Sequence, residues 1–471
     1  MPLSSSPAPS SLVGSSFHFL PAAVRHGKGL SARCNLFIDS AEPTWDLASH
    51  RPVGKPATIR SLQLARPTLL SFEDARQLVV RKVAERVGPA RTLPLPVCEA
   101  LGFVLAQEVQ TDRDYPPFDR STRDGYAVRS SQAAAGTSLR CAGEIKAGDT
   151  VTSPLTPGTC IQIMTGAAVP PGADAVVMSE FTQRDGEIVL FHRPTPLGQN
   201  IVPRGSEARA GQVALKHGSR LGFAELALAA QVGAAQLLCA KKPRVAILST
   251  GDELVPITET PGPFHIRNSN GISLAVQVRL AGGEPVLLGT ALDRIDDLSA
   301  KIELGLREDV LVLSGGVSMG KYDLVESALN SLGAEFFFDA VAIRPGKPTV
   351  FGRCQNAWVF GLPGNPVSSM VTFQLFAIPA LDLLSGAPAR HLPFLSATLE
   401  EAVKEKANLA HFLPAHLEWR GLSPYVSALR SQGSGDISAL SGANCFLLVP
   451  DDRLDISVGE KVSVLPRLDV L

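Results

Sequence analysis

A chain of 471 residues is too long for one compact core, so several domains are expected. With 45% apolar and 19% charged residues it has the composition of a folded globular protein, well away from the disordered range. Its 44 basic and 45 acidic residues leave a formal charge of -1, which excludes a broad nucleic-acid or anionic-membrane surface and confines any anion site to local chemistry.

The seven cysteines (Cys34, Cys98, Cys141, Cys160, Cys239, Cys354 and Cys445) form no CxxC pair and share no zinc-like spacing with His. Neither structural zinc nor a disulfide framework is expected, and a reducing, cytoplasmic location fits. No apolar run is read as reaching the roughly 18 residues of a membrane helix.

In chain order, residues 1–68 are rich in Ser, Ala, Pro and Gly, carry no acid before Asp39, and read as a disordered extension. Arg25, Lys28 and Arg33 also fit a basic transit peptide, though without an amphipathic pattern. Order begins at LSFEDARQLVVRKVAERVG, where Ser71 caps a helix, Asp74 lies three residues on, and Ala75, Leu78, Val79 and Val83 recur at helical spacing. From about Gln110 to Ala208, short β-rich runs broken by Gly and Pro indicate a small β domain, and a helix over Gly222 to Gly233 comes next. Between Pro243 and Gly386, apolar strands (RVAILS, EPVLLGT, DVLVLSG, WVFGL) alternate with amphipathic helices, the pattern of a doubly wound parallel α/β sheet covered on both faces. Residues 387–471 read as a small C-terminal β barrel or sheet.

Ligands of open α/β sheets bind beyond the carboxyl ends of the strands. Thr250, Gly251, Asp252 and Glu253 succeed the first strand, and Asp293 succeeds EPVLLGT. Gly315, Gly316, Ser318 and Asp323 lie at and after the end of DVLVLSG, and Gly364, Asn365 and Ser368 come after WVFGL. Glycines let backbone N–H groups approach a phosphate, so this edge suits a phosphorylated ligand. Asp252, Glu253, Asp293 and Asp323 would repel it unless a hard cation such as magnesium lay between. In VAIRPGKP, Arg344 and Lys347 flank a stiff Pro-Gly turn that suits an oxyanion. Each loop alone is an ordinary turn with a helix cap; four on successive strand ends of one sheet are not.

STGDEL, IRNSNG, SGGVSMGKYD, IRPGKP and GLPGNPVS, in this order, closely resemble the molybdopterin molybdenumtransferase (molybdenum insertase) family, which includes the E domain of gephyrin. Outside the α/β region, PPFDRSTRDGYA, IMTGAAVPPGADAVV and QGSGDISALSGAN are similar to further stretches of that family, so the resemblance spans about Ser71 to Leu471. It implies a linker and dimerisation domain over 69–109 and 209–242, a DGYA-bearing β domain over 110–208, a molybdopterin-binding domain over 243–386 and a barrel over 387–471. It also implies a homodimer with a site shared between subunits, and a reaction in which adenylylated molybdopterin and molybdate give molybdenum cofactor and AMP with magnesium. In that scheme Asp252, Glu253, Asp293 and Asp323 act on the phosphoanhydride, and Glu253, Asp293 and Asp323 hold the metal. Arg344, Lys347 and Ser368 bind oxyanion or phosphate; Asn268, Ser269 and Gly316 shape the pterin pocket; Asp124 and Thr165 reach in from the partner subunit. A molybdopterin adenylyltransferase and acceptor molybdoenzymes are the implied protein partners, with no nucleic acid and no membrane.

Several positions depart from the family pattern. Arg123 stands where a hydrophobic residue usually precedes DGYA, Ala340 replaces a Lys, and Pro414 replaces an Arg for which His416 or Arg420 could substitute. Arg204 and Glu207 resemble an RGED stretch with one acid displaced. A non-catalytic pterin carrier and a molybdopterin adenylyltransferase are the alternatives. Retention of all four acids argues against the first, and the flanking β segments argue against the second.

Overall fold

The computed structural model describes residues 69–316, 324–406 and 408–470. The extension over 1–68, Ser318 and Asp323 therefore lie outside the described residues.

Helix α1 (Phe72–Ala84) starts where the sequence places it. Ser71 is extended, and its Oγ accepts the Asp74 N–H at 3.0 Å while donating to the Asp74 carboxylate at 2.9 Å. This satisfies a backbone donor that the first helical turn leaves without a partner. Ser71→Ala is expected to cost about 1 kcal/mol, seen as a lower melting temperature; an unchanged melting curve would show that the cap adds nothing. The helix buries Phe72, Ala75, Val79 and Val83 in the main core.

Thr92–Pro96 pairs antiparallel with Gln236–Ala240, and Val109–Gln110 with Val213–Leu215. The chain thus leaves this region near residue 110 and returns near 213. The excursion contains a six-stranded sheet in which Gly125–Val128 lies between Cys160-bearing Thr159–Ile163 and Ala175–Met178. Gly125 is pressed against the Val177 carbonyl, so any Cβ there would collide with backbone; the DGYA glycine is a packing requirement.

The central domain contains β1 (Arg244–Thr250), α2 (Ser269–Ala281), β2 (Glu284–Ala291), α3 (Ile295–Gly305), β3 (Val310–Ser314), α4 (Leu324–Ser331), β4 (Glu335–Phe338), β5 (Val350–Cys354), β6 (Ala357–Leu362) and α5 (Pro366–Leu384). The strand order is β2-β1-β3-β6-β5-β4. The first four strands are parallel, as expected, but β5 runs antiparallel to both β6 and β4. Neither β4 nor β5 is legible as a strand in the sequence; they extend the sheet into a mixed one. Successive residues on each inner strand feed opposite cores: Val245, Ile247, Val310 and Val312 pack with α1, α2 and α5, and Ala246, Leu248, Leu311 and Leu313 with α3 and α4. This is why the strands are apolar throughout.

Helix α5 corrects one expectation. Its 19 residues are long and apolar enough to cross a membrane by length and composition, yet 83% of the apolar window is buried inside the protein. The segment is a core helix. Pro379 has no N–H to offer the Leu375 carbonyl one turn back, and Arg76 Nη1 donates to that carbonyl at 2.6 Å instead, beside a π-helical turn over Phe373–Ala377. Near the end of α5, buried Asp382 pairs with Arg220 at 2.9 Å and Arg390 at 2.6 Å, joining α5 to the segments on either side of the central domain.

In the C-terminal region, Ala410–Arg420, Ser423–Ala428, Leu395–Leu399, Lys461–Pro466 and Cys445–Val449 pair in that order, and the last pairs back with the first to close a five-stranded barrel. Ile343–Arg344 adds in parallel beside Ala410 and His411, which ties the RPGKP turn to the barrel.

Candidate functional site

The parallel order places the carboxyl ends of β2, β1, β3 and β6 on one edge of the sheet. At the other side, Phe338 of β4 lies beside Phe351 and Val350 of β5 beside Gly361. The 339–349 loop carrying Arg344 and Lys347 therefore leaves and re-enters the sheet at the same edge.

Acids gather at the β1 and β2 end of this edge. Asp252 Oδ1 accepts the Asp293 N–H at 3.0 Å, and Glu253 folds back over Gly251. Burial raises the Asp293 carboxyl above the ordinary aspartate range, and the charges of Asp252 and Glu253 raise it further. The apo arrangement is electrostatically frustrated, and a hard divalent cation sharing these oxygens would relieve it. Carboxylate oxygens are the donor type that such a cation takes. Among the described residues no group of three His, Cys, Asp or Glu already has metal-holding geometry, and the proposed ligand Asp323 lies outside them.

The centre of the edge is tightly built. Gly315 and Gly316 adopt φ values of +95° and +65°, and a Cβ on Gly316 would lie 2.7 Å from Thr250 Oγ1 and 2.8 Å from Val325. Only glycine serves here, for conformation and for space. Gly364 meets Gly315 from the β6 side, where an added Cβ would sit 3.4 Å from the Gly315 Cα. Thr250, Gly251, Gly315, Gly316 and Gly364 are thereby brought together.

Asn268 caps α2: its Oδ1 accepts from Gly271 N–H at 3.0 Å and Ser249 Oγ at 3.1 Å, and its Nδ2 donates to Thr290 Oγ1 at 3.2 Å. Its amide is committed to holding β1, β2 and α2. Ser269 opens that helix. Asn365 occupies the cap of α5 and is exposed, without a side-chain cap bond, whereas Ser368 in the first turn of α5 is only 3% exposed.

Asn270 stands at the same edge and is missed by sequence reasoning. Its Nδ2 donates to Ser314 Oγ at 2.8 Å and to the Gly364 carbonyl at 2.7 Å, linking α2, β3 and the turn after β6. Its only sequence signal is its place in IRNSNG, two residues after Asn268.

On the β domain, Asp124 Oδ1 accepts from Thr165 N–H at 2.6 Å and Thr165 Oγ1 at 2.8 Å, bonds that hold its carboxyl below the usual range. Both residues are exposed. Among the described residues, no hydrogen bond or ion pair joins them to the sheet edge of the same chain.

The departures have structural counterparts. Arg123 is exposed. Ala340 is 8% exposed, and Pro414 is buried in a barrel strand opposite Phe446. Arg420 does not replace the missing cation: it is held by Glu400 at 2.7 Å and Glu418 at 3.0 Å, at the far tip of its hairpin. Arg204 pairs with Asp114 and Glu207 with Arg120, each at 2.9 Å, so both brace the β domain.

Three family models match in chain order: the MoeA N-terminal region (domain I and II) over 70–233, the probable molybdopterin binding domain over 246–383, and the MoeA C-terminal region (domain IV) over 396–467. The chain is 32% identical over 404 residues to a molybdopterin molybdenumtransferase of Haemophilus influenzae, covering 84% of this chain and 98% of the relative. It is also 32% identical to one from Bacillus subtilis, covering 82% and 92%. A crystal structure of a molybdopterin biosynthesis moeA protein from Pyrococcus horikoshii superposes with a TM-score of 0.71 at 28% identity, covering 85% of this chain and all of the other. The three matched regions follow one another over most of the chain, and the chain belongs to the molybdopterin molybdenumtransferase (MoeA) family.

Proposed function

We propose that this chain is a molybdopterin molybdenumtransferase that places molybdate into adenylylated molybdopterin, releasing AMP and molybdenum cofactor. The observation that carries the reading is the convergence of three acids, a glycine floor and a doubly cationic turn on one sheet edge. Cleaving the phosphoanhydride supplies the free energy for exchanging oxo ligands for dithiolene sulfurs. Glu253 and Asp293 would hold magnesium, together with Asp323, with Asp252 beside them acting on the phosphoanhydride, and the metal would neutralise anhydride charge. Gly251, Gly315 and Gly364 let the ligand approach the backbone, with Asn365 and Ser368 at the start of the adjoining helix. Arg344 and Lys347 orient the oxyanion.

The reading includes a homodimer in which Asp124 and Thr165 of one copy complete the edge of the other. A stripe of half-exposed apolar residues on α2, Ile272, Val276 and Leu280, offers a self-association surface. A cytoplasmic setting accords with free cysteines at all six described positions. The division into 69–109 with 209–242, 110–208, 243–386 and 387–471 is part of the same proposal.

The test is a purified assay with adenylylated molybdopterin, magnesium and titrated molybdate, monitoring AMP release and molybdenum retention together. Coupled, molybdate-dependent appearance of both supports the transferase. Tight pterin binding without AMP release would identify a carrier instead, and light scattering that shows only monomers would remove the shared site.

A further inference from the structure

The amino-terminal edge of the central sheet, opposite the acids and the glycine floor, carries a second charged cluster. Asp309 immediately precedes β3, Asn356 immediately precedes β6, and Arg353 stands near the end of β5, which runs antiparallel to β6. Residues 85–91 lead from α1 to the Thr92–Pro96 strand, and residues 241–243 lead from its partner strand Gln236–Ala240 to β1. These two crossings are tied together by the Lys241 N–H, which donates to the Arg91 carbonyl at 2.7 Å. Between them and the sheet edge lies a cleft of about 170 Å³, lined by Arg86, Arg91, Lys241, Arg353, Asn356 and Asp309.

The charges in this cleft do not balance. Among the described residues, Asp309 is the one carboxylate in the lining, and it is fully engaged: Arg91 Nη2 donates to both its oxygens at 2.9 Å, and the Arg244 N–H donates to Oδ2 at 2.8 Å. Arg86 pairs with Glu335 of β4 at 2.9 Å. Glu335 is also the cross-strand neighbour of Arg353, but its hydrogen bond goes to Arg86. Lys241 and Arg353 therefore have no carboxylate partner among the described residues. Arg353 lies over the Trp358 ring, 5.7 Å from its centroid, a contact that steadies the guanidinium without neutralising it. Buried Pro243 and Trp358 also border the cleft, and such apolar walls strengthen the attraction of its cations for an anion.

We infer that this cleft is an anion site for a compact phosphate species, such as phosphate, pyrophosphate or a phosphate monoester. Lys241 and Arg353 are its principal ligands, with the exposed Asn356 amide as a neutral donor. The cations come from separate segments around one hollow, which matches a small, multiply charged anion; an extended acidic peptide would need cations in a row. Because Lys241 belongs to a crossing and Arg353 to the sheet, a bound anion pins the linker region to the central domain, beside the Arg91–Asp309 pair that already does so. The site is independent of the transferase reading and lies at the other edge of the sheet from it.

Isothermal titration calorimetry of the full chain with pyrophosphate, without magnesium and at low, constant ionic strength, tests this. The 339–349 turn is a second place for an oxyanion, so the titrations use Lys347→Ala as the background. That protein is expected to bind pyrophosphate and to melt at a higher temperature with it. Adding Lys241→Gln and Arg353→Gln should weaken binding by about tenfold or more. Asn356→Asp keeps both cations but sets a carboxylate beside them, and should weaken binding while the ligand-free melting temperature stays the same. Loss of all pyrophosphate binding in Lys347→Ala alone, or equal affinity with and without Lys241 and Arg353, would overturn the inference. So would a polyglutamate peptide that displaces pyrophosphate from the cleft and binds more tightly than it does.

Discussion

Replacing Asp293 with Asn is expected to cut AMP release by about 10³-fold and, at the same time, to make the ligand-free protein more heat-stable. The second effect stems from the frustration of the acid cluster. Burial, then Asp252 and Glu253, raise the Asp293 carboxyl above the value it has in the unfolded chain. For an acid shifted upward, the native state binds the proton more tightly, so stability declines as pH rises from the unfolded value through the folded one, and the penalty persists above that window. Asparagine cannot ionise and escapes it. The variant should therefore melt above wild type at neutral pH and lose this advantage below the ordinary aspartate range, where both states of the wild type are protonated. Magnesium should raise the melting temperature of wild type by relieving the repulsion, and do little for Asp293→Asn. Scanning fluorimetry at two pH values with and without magnesium reads all of this. Wild-type turnover in the variant, or equal stabilisation of both proteins by magnesium, would remove Asp293 from the metal site.

Why part of the fold and site is legible in the sequence and part is not is a matter of range. Ser71 and Asp74 are three residues apart, and their bond needs nothing beyond the helix itself. The inner strands announce themselves because Val245 and Ala246 must both be apolar to serve two different cores. Asp252 and Asp293 stand out because each lies just past the end of an apolar strand, and their hydrogen bond spans 41 residues only because β1 and β2 are neighbours. By contrast β4, four residues of EFFF, has an identity that depends on pairing with β5, which no local pattern reveals. Helix α5 is legible as a helix through Pro379, but the carbonyl that Pro379 leaves without its helical donor is satisfied by Arg76, 299 residues from Leu375. Asn270 is the sharpest case. Beside Asn268 it looks like part of a helix start, and its distinct role depends on Ser314 and Gly364, which only tertiary structure brings within reach. Arg420 fails in the opposite direction: it lies near the missing cation in sequence, but two carboxylates hold it elsewhere.

Lys347→Ala is expected to raise the molybdate concentration for half-maximal insertion by about 10- to 100-fold, while pterin affinity and melting temperature stay at wild-type values. The 339–349 loop is stiff without the lysine side chain. Val341 N–H donates to the Lys347 carbonyl at 2.9 Å, Thr349 Oγ1 donates to the Gly346 carbonyl at 2.5 Å, and Ala410 N–H donates to the Ala342 carbonyl at 3.0 Å. Those bonds involve backbone that the substitution retains. Arg344 and Lys347 are both exposed, and neither has a carboxylate partner among the described residues. Two unpaired cations on a rigid turn form a site for a tetrahedral dianion, and with buried Ala340 in place of a third cation each carries a larger share of the attraction. Because the charges face solvent, added salt should weaken molybdate use in wild type and have less effect in the variant. Sulfate should compete with molybdate in wild type for the same reason. Lys347→Arg should recover much of the affinity, since it restores charge at the turn. If Lys347→Ala weakened pterin and molybdate use equally, or left the molybdate dependence untouched, the oxyanion would have to bind elsewhere than on the 339–349 turn.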